Sequence, residues 1–166
     1  MNVLLIADTH LREGQAQRLL DTLGTHLDAA DLIIHAGDVT DVSVLRALGE
    51  FAPVRAVLGN NDHDMILPER FVADIGGCSV AAVHDSGAGT GRASRLRRWF
   101  PDADVVVFGH SHLPWHEVDI RVSDGHRQHH VNPGSAMQRR AAPHRTAAIL
   151  ELHDGEITHL DHVVLP

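Results

Sequence analysis

The sequence predicts an α/β fold in which two sheets pack face to face with helices on the outside. In the first two-thirds of the chain, short apolar runs alternate with segments of helical periodicity, a pattern typical of βαβ units and a largely parallel sheet. In the last third, strand-like segments follow one another and are joined by turn residues, which indicates antiparallel hairpins. Two packed sheets accommodate both patterns.

Five apolar runs predict the strands of the first part of the chain. Each run is short, is rich in valine, isoleucine, leucine or alanine, and ends at a polar or glycine-containing segment. Short bounded runs of this kind favour buried strands over helices. The five runs are Val3–Ala7, Leu32–Ile34, Val54–Leu58, Val80–Val83 and Val105–Phe108.

Three segments of helical periodicity accompany these runs. The first helix is predicted over residues 13–27 and the third over Arg92–Phe100. The second begins near Val42, where Asp41 or Ser43 would cap its first turn. The apolar positions on one face are Leu19, Leu20, Leu23 and Leu27 in the first helix, Val42, Leu45 and Leu48 in the second, and Leu96, Trp99 and Phe100 in the third.

The last third of the chain predicts four further strands in two hairpins. Ser123-Asp124-Gly125 and Asp154-Gly155 supply the turns, because Asp-Gly is favoured in tight hairpin connections. The predicted strands are Trp115–Val122, Gln128–Val131, Thr146–Leu152 and Ile157–Val164.

Length and composition narrow the class of protein. A chain of 166 residues predicts one domain, residues 1–166, whose folding buries roughly 70% of the unfolded surface without disulfides. The single Cys78 and the start of the first strand near Met1, which leaves no room for a signal peptide, lead us to expect a cytoplasmic protein. We expect no membrane span, because the apolar runs fall far short of ~20 residues. The net charge of −8 argues against strong non-specific binding to nucleic acid.

Each of the five apolar runs is followed by residues of metal-ligand type. Because ligands gather at the carboxyl ends of strands in α/β proteins, five such loops could converge on one site, and their chemistry fits two metal ions. The chain contains 15 histidines, so the ordered set carries more weight than any isolated histidine. The five segments are Asp8–His10, Gly37–Asp41, Gly59–Asp62, His84–Asp85 and Gly109–His112.

The spacing within these segments suits metal binding, although each has a simpler interpretation. Asp8 and His10 stand two residues apart at a strand end and could share one ion, but the pair could equally be a helix cap beside a surface histidine. Asp38 has two oxygens that could bridge two cations, or it could only shape a turn. His110 and His112 could serve two neighbouring ions from one loop, or their spacing could arise by chance in a chain with 15 histidines.

The ordered series Asp-Thr-His, Gly-Asp-Val-Thr-Asp, Gly-Asn-Asn-Asp, His, Gly-His-Ser-His and Asn-Pro-Gly-Ser spans residues 8–135. In this order and spacing it resembles the calcineurin-like metallophosphoesterases, and in particular their small, uncapped phosphodiesterase branch. The resemblance implies a four-layer α/β/β/α sandwich of two mixed sheets flanked by helices. It also implies one metallophosphoesterase domain over residues 1–166, with no cap domain.

The resemblance further implies a ligand set for two divalent ions. Metal one would take Asp8, His10, Asp38 and His112, and metal two would take Asp38, Asn60, His84 and His110, with Asp38 as the bridge. Imidazole and oxygen donors without thiolates suit Mn²⁺, which we expect most, or Fe²⁺, Ni²⁺ or Zn²⁺. The catalytic residues implied are Asp38, Asn60 and His10.

The implied function is metal-dependent hydrolysis of a small phosphoester, most simply a phosphodiester, by a bridging water that two metals activate. The alternative is a non-catalytic metal-binding scaffold for protein interactions, of the retromer-subunit type. A pure scaffold has no need for all seven ligand residues, so the sequence favours the enzyme. Neither the physiological substrate nor the oligomeric state follows from the sequence, although an oligomer is compatible with it.

Two positions depart from the family pattern. Asn61 stands where many relatives place a histidine that protonates the leaving group, and an amide cannot donate that proton at neutral pH. Asp85 follows His84 where a glycine is usual, and it either orients the imidazole or only shapes the turn.

Several other polar residues are expected to lie outside the chemistry. We expect His35 to be a hydrogen-bonded core residue and His63 to lie on a surface loop. The histidines near the hairpin are predicted to be solvated, and so are the arginines of the third helix. These are His126, His129 and His130, and Arg92, Arg95, Arg97 and Arg98.

Overall fold

The protein consists of two five-stranded sheets and four short helices, seen here in a computed structural model that describes residues 1–166. The strands are β1 (Asn2–Ile6), β2 (Leu32–His35), β3 (Val54–Ala56), β4 (Arg70–Ile75), β5 (Cys78–Val83), β6 (Val105–Val107), β7 (Trp115–Ile120), β8 (Arg127–Asn132), β9 (Arg145–His153) and β10 (Glu156–Leu165). The helices are α1 (Ala16–Leu23), α2 (Thr25–Asp28), α3 (Val42–Gly49) and α4 (Arg92–Trp99).

The first sheet has the strand order β10-β9-β1-β2-β3. Strands β1, β2 and β3 run parallel, with Val3 opposite Leu32 and Ile33 opposite Val54, whereas β9 pairs antiparallel with both β1 and β10. The connections between the parallel strands carry α1, α2 and α3, as expected when a chain must return to the same edge of a sheet. The loops after β1, β2 and β3 therefore open at one edge.

The second sheet has the strand order β4-β5-β6-β8-β7. Its central strands β5, β6 and β8 are parallel, and the two edge strands β4 and β7 pair antiparallel with their neighbours. The loops after β5 and β6 open at a common edge, as those of the first sheet do.

The two sheets enclose a core between them, and helices cover their outer faces. Alternation along β1 shows the layering, because Val3 and Leu5 contact the second sheet while Leu4 and Ile6 contact the helices. The helices α1, α2 and α3 cover the first sheet, and α4 covers the second through Leu96. The predicted four-layer α/β/β/α sandwich is confirmed. No helix has the length and apolar character needed to cross a bilayer.

The helix predicted over residues 13–27 was wrong in extent. The structure contains two helices, α1 and α2, separated at Gly24, which has a φ of 50° and donates its N–H to the carbonyl of Leu20. A glycine with positive φ ends a helix without the steric cost that another residue would bear. The leucines Leu19, Leu23 and Leu27 are still buried on one face, as predicted.

One strand was missed and another was predicted too long. β4 was not predicted, although Phe71, Ala73 and Ile75 alternate inward and the two-residue Gly76-Gly77 turn connects β4 to β5. β3 ends at Ala56 because the N–H of Leu58 donates to the carbonyl of Pro68 and leaves the sheet. The cap of α3 is confirmed, since Asp41 accepts from the N–H of Ser43 at 2.8 Å.

Candidate metal centre

All seven residues proposed from the sequence as metal ligands lie at one edge of the sandwich. They follow the carboxyl ends of β1, β2 and β3 in the first sheet and of β5 and β6 in the second. Two groups of side chains each place their ligand atoms within 4.8 Å of one another. One group is Asp8, His10 and His112, and the other is Asp8, Asp38 and His84. The fold therefore brings together residues that are far apart in the chain, such as His10 and His112, which are separated by 102 positions.

Cluster one consists of Asp8, His10 and His112. The Nε2 atoms of His10 and His112 face each other at 3.2 Å, and their rings stack with centroids 5.0 Å apart. Oδ1 of Asp8 lies 3.6 Å from Nε2 of His112. Asp8 and His112 are fully buried.

Cluster two consists of Asn60, His84 and His110. The side-chain oxygen of Asn60 lies 3.1 Å from Nε2 of His84 and 2.9 Å from Nδ1 of His110. His84 is buried, whereas Asn60 and His110 are exposed. Cluster two is therefore more open to solvent than cluster one, in which only His10 is partly exposed.

Asp38 lies between the two clusters. Its Oδ2 atom is 3.4 Å from Nε2 of His10 and 3.5 Å from Nε2 of His84, so one carboxylate oxygen is almost equidistant from a histidine of each cluster. This geometry suits a carboxylate that serves two cations at once.

The site loops adopt backbone conformations that are uncommon for residues other than glycine. Eight such residues have positive φ, and five of them belong to the proposed ligand set. A left-handed backbone costs such residues free energy and persists where the surrounding structure demands it, often at functional sites. These five residues are Asp8, His10, Asp38, His110 and His112.

The ligand atoms of this site are arranged to receive cations. Oδ2 of Asp8 is buried and has no hydrogen-bond partner, although an unpaired buried carboxylate oxygen is costly. Nδ1 of His84 meets the carbonyl of Ala36 at 2.7 Å, and Nδ1 of His112 meets the carbonyl of Gln138. When these rings are neutral, donation from Nδ1 leaves the lone pair of Nε2 pointing into the site, which is how metal-binding histidines are commonly oriented. The residues present thus fit a pair of divalent ions.

The titration behaviour follows from burial and mutual contact. Burial raises the pKa of Asp8 to about 7, and burial is also the main reason that the pKa values of His10 and His112 are lowered. Burial opposes ionisation of Asp38, but hydrogen bonds from His84 and Asn61 outweigh it and hold the pKa of Asp38 well below its usual range. Neutral imidazoles at His10 and His112 are the protonation state that cations require. At His84 burial is outweighed by the contact with Asp38, which raises the pKa of His84, so an ion bound there would displace a proton.

Comparison with known proteins identifies the family. A model described as the calcineurin-like phosphoesterase superfamily domain matches residues 1–155. The chain belongs to the calcineurin-like phosphoesterase superfamily. A probable metallophosphoesterase of Methanocaldococcus jannaschii is 35% identical over 118 residues, which are 69% of this chain but only 60% of that protein.

Solved structures with the same fold include proteins of different description. Vps29 of Entamoeba histolytica, complexed with Zn²⁺, has a TM-score of 0.71 at 23% identity and covers 98% of this phosphoesterase chain and 97% of its own. An archaeal phosphodiesterase has a TM-score of 0.68 at 19% identity, and the match covers 99% of this chain and 100% of that protein. At these identities the likeness shows the shared fold.

Asp62 supports the phosphoesterase site in a way that the sequence analysis did not assign. Its buried carboxylate accepts from the backbone N–H groups of Asp38 at 3.0 Å, Gly59 at 2.8 Å and Thr40 at 2.7 Å. It thereby joins the loop after β2 to the loop after β3. A signal was available, because an acidic residue that ends a Gly-Asn-Asn turn is well placed to accept from backbone groups.

The Asn-Pro-Gly-Ser turn supports cluster one from the other side. Oγ of Ser135 donates to the carbonyl of Asp8 at 2.7 Å, and the amide of Asn132 donates to the carbonyl of Gly109 at 2.8 Å. The turn therefore connects the loops after β1 and β6. From the sequence alone this motif was only part of the family pattern, without a predicted role of its own.

Gly59 is required by close approach. A Cβ atom there would overlap the backbone and the carboxylate of Asp38, so any side chain would push the proposed bridge out of place. This constraint is invisible in the sequence, because it depends on how two loops from neighbouring strands meet.

Asn61 holds the carboxylate of Asp38. Its backbone N–H donates to Oδ1 at 2.9 Å, and its side-chain amide donates to Oδ2 at 2.7 Å. Asp85 is exposed and accepts from the N–H of Gly87 at 2.7 Å, so it shapes the turn, and the imidazole of His84 contacts the Ala36 carbonyl instead.

The histidines that were expected to lie outside the metal site differ in burial and in hydrogen-bond partners. His35 is buried and contacts Oγ1 of Thr9 at 3.0 Å, and His63 is exposed, as expected for each. The hairpin histidines were expected to be solvated, but only His126 and His129 are partly exposed, and His130 is buried against Gln128. His130 faces the other side of the sheet from His129, because successive residues of a strand alternate.

The arginines of α4 were also predicted wrongly as a solvated face. Arg92 lies over the rings of Phe108 and Trp115, and Arg97 donates to Asp119 at 2.8 Å. Arg95 donates to the carbonyl of Ser86 at 2.7 Å, and only Arg98 is exposed. The side chains of Arg92 and Arg97 thus pack against residues of the second sheet, and that of Arg95 packs against the loop after β5, instead of pointing into water.

Proposed function

We propose that this chain is a dinuclear metal-dependent phosphodiesterase that acts on small phosphoesters. The observation that carries the proposal is the position of Asp38, whose Oδ2 lies 3.4 Å from His10 and 3.5 Å from His84. A carboxylate between two sets of metal-ligand donors is suited to bridging two divalent cations. The proposal includes one domain over residues 1–166 without a cap, which leaves the centre open to varied substrates.

In this proposal, metal one is held by Asp8, His10, Asp38 and His112, and metal two by Asp38, Asn60, His84 and His110. Two such ions would supply Lewis-acid polarisation of the phosphoryl group and a hydroxide-like nucleophile at neutral pH. The donor set favours Mn²⁺, with Fe²⁺, Ni²⁺ or Zn²⁺ as alternatives. The Zn²⁺ in the Vps29 structure supports metal binding by this fold.

The protein's own residues orient and stabilise the centre. Asp38 lies between the clusters and contacts His10 of cluster one. Asn60 places its amide oxygen between His84 and His110. Because two ligands are anionic and the rest are neutral, a centre loaded with two divalent ions is locally positive. That local charge would attract a phosphate even though the whole chain has a net charge of −8.

The test is hydrolysis by protein reconstituted separately with Mn²⁺, Fe²⁺, Ni²⁺ and Zn²⁺. Aryl phosphodiesters, phosphomonoesters and cyclic nucleotides would be compared, with metal content measured on the same samples. We expect metal-dependent cleavage of the diesters, and loss of that cleavage in Asp38→Asn but not in Asp64→Asn, which changes an exposed acid of the neighbouring loop. Two bound metals without cleavage of any ester would contradict the enzyme.

The second candidate is a non-catalytic scaffold for protein contacts, and the observation that favours it is the shared fold with Vps29. The same assay separates the two candidates, since a scaffold would bind metal without turnover. The single buried Cys78 is compatible with a cytoplasmic enzyme, which we also propose.

A further inference from the structure

Arg140 stands out among the three arginines that follow the Asn-Pro-Gly-Ser turn. Arg139 donates to the carbonyls of Ala142 and Pro143, and Arg145 donates to the carbonyl of Pro166. Arg140 is exposed, and its guanidinium has no hydrogen-bond or ion-pair partner in the protein. A guanidinium group without a partner in the protein is available to bind a ligand.

The loop that carries Arg140 is fastened to cluster one. Oγ of Ser135 donates to the carbonyl of Asp8 and accepts from the N–H of Gln138 at 2.8 Å, and the carbonyl of Gln138 meets the ring of His112. Arg140 follows two residues later and has a φ of 47°. This left-handed residue turns the chain at the edge of the site, where an extended residue would lead it elsewhere.

The residue two positions before Arg140 contacts both histidines of cluster one. The carbonyl of Gln138 meets the ring of His112, and the side-chain amide of Gln138 donates to the carbonyl of His10 at 3.5 Å. Because Arg140 is only two residues from Gln138, it lies at the rim of cluster one.

We propose that Arg140 binds a non-bridging phosphoryl oxygen of the substrate and positions the ester over cluster one. The inference rests on the proposed function, and it extends that function by naming a protein group that recognises the phosphate. Arginine is suited to this role because its planar fork can give two parallel hydrogen bonds to phosphate oxygens. In a chain of net charge −8, one free arginine at the rim also favours the approach of an anion.

The experiment compares Arg140→Asn with Arg140→Lys. Asparagine tolerates the left-handed backbone and removes the charge, whereas lysine keeps the charge and removes the fork. Arg98→Gln, on the exposed side of α4, is the charge-matched control. Each protein would be loaded with Mn²⁺, its metal content and thermal melting measured, and inorganic phosphate titrated by calorimetry.

We expect metal content and melting temperature to stay unchanged in all three variants. Phosphate affinity should fall roughly 10-fold to 100-fold in Arg140→Asn, the range for losing hydrogen bonds to a charged group. It should fall less in Arg140→Lys and not at all in Arg98→Gln. Diester hydrolysis by Arg140→Asn should show a raised KM, because a positioning contact to the substrate is lost.

Three results would overturn the inference: phosphate affinity that is unchanged in Arg140→Asn, an equal loss in Arg98→Gln, or loss of metal from Arg140→Asn, which would assign Arg140 to the metal site itself. A different result would contradict the proposed function without contradicting the inference about Arg140. Protein that hydrolyses no ester, but whose phosphate affinity depends on Arg140, would contradict the enzyme and support the phosphate contact.

Discussion

The two ligand clusters differ in how the fold encloses them. In cluster one Asp8 and His112 are buried and His10 is partly exposed. The chain that follows β8 supports this cluster through Ser135 on Asp8 and Gln138 on His112. Cluster two has only His84 buried, and its other members, Asn60 and His110, are exposed. The comparison shows that cluster one is more deeply enclosed by the fold than cluster two, so if the proposed function holds, an ion would exchange more readily at cluster two.

The largest expected effect comes from Asp38, because it belongs to both sides of this comparison. Asp38→Asn keeps the shape of the side chain but removes the charge, so both ions should be lost together. Changes to groups that merely support metal ligands cost 10–100-fold, so we expect hydrolysis to fall by more than about 100-fold. Metal analysis and turnover of an aryl diester would be measured on Asp38→Asn and Asp64→Asn. Retention of two metals per chain in Asp38→Asn would refute the bridge.

The next largest effect should come from single histidine variants, each of which should weaken mainly one of the two metal positions. His112→Ala and His10→Ala should mainly weaken metal one, and His84→Ala and His110→Ala should mainly weaken metal two. Anomalous diffraction from crystals of each variant would give the occupancy of each position. If His112→Ala lost metal two and kept metal one, the division of ligands would be wrong.

The same comparison predicts an order of metal loss in the unmodified protein. Because cluster two is exposed, a chelator should remove metal two before metal one, and release should follow two phases. Time-resolved metal analysis during dialysis against chelator would show this. Single-phase release of both ions would mean that the difference in burial does not control exchange.

Asp62 should have a smaller effect, because it supports the site without contacting an ion. Asp62→Ala leaves three backbone N–H groups without their acceptor, and unfolding free energy should fall by about 3 kcal/mol. Metal affinity should weaken roughly 10–100-fold. Urea unfolding of the metal-free protein would be compared with Asp64→Ala, the exposed control. Equal stability of the two variants would show that solvent replaces the lost acceptor.

Much of the fold could be predicted from the sequence, because apolar runs and turn residues are local signals. The break at Gly24 and the strand β4 also had local signals, a glycine within a helical pattern and an alternation before Gly76-Gly77, and both were given too little weight. The ligand loops could be anticipated because each follows a strand.

What could not be predicted depends on contacts between distant segments. The position of Arg140 depends on Ser135 meeting Asp8, which lies 127 residues earlier in the chain. The roles of Arg92 and Arg97 depend on Phe108 and Asp119, which belong to other elements. The ligand roles of Asp8, His10, Asp38 and the other four residues stay predictions that metal analysis must test.

A further effect concerns Asn61, one of the two positions that depart from the family pattern. Its amide donates to Oδ2 of Asp38 at 2.7 Å, so it is engaged in holding the proposed bridge and cannot protonate a leaving group. The leaving group should then depart largely unassisted, and the rate should depend steeply on its pKa. Aryl esters should be cleaved well and alkyl esters poorly.

Asn61→His tests both roles of this position at once. General acid catalysis contributes about 10²–10⁴-fold, so the variant should recover part of that factor on alkyl esters and little on aryl esters. It should also lose the amide contact to Asp38, so metal affinity must be measured beside the rates. A series of diesters with graded leaving groups would decide the matter, provided that chemistry is rate-limiting. A flat dependence in the unmodified protein would mean that another group, such as the exposed His63, already supplies the proton.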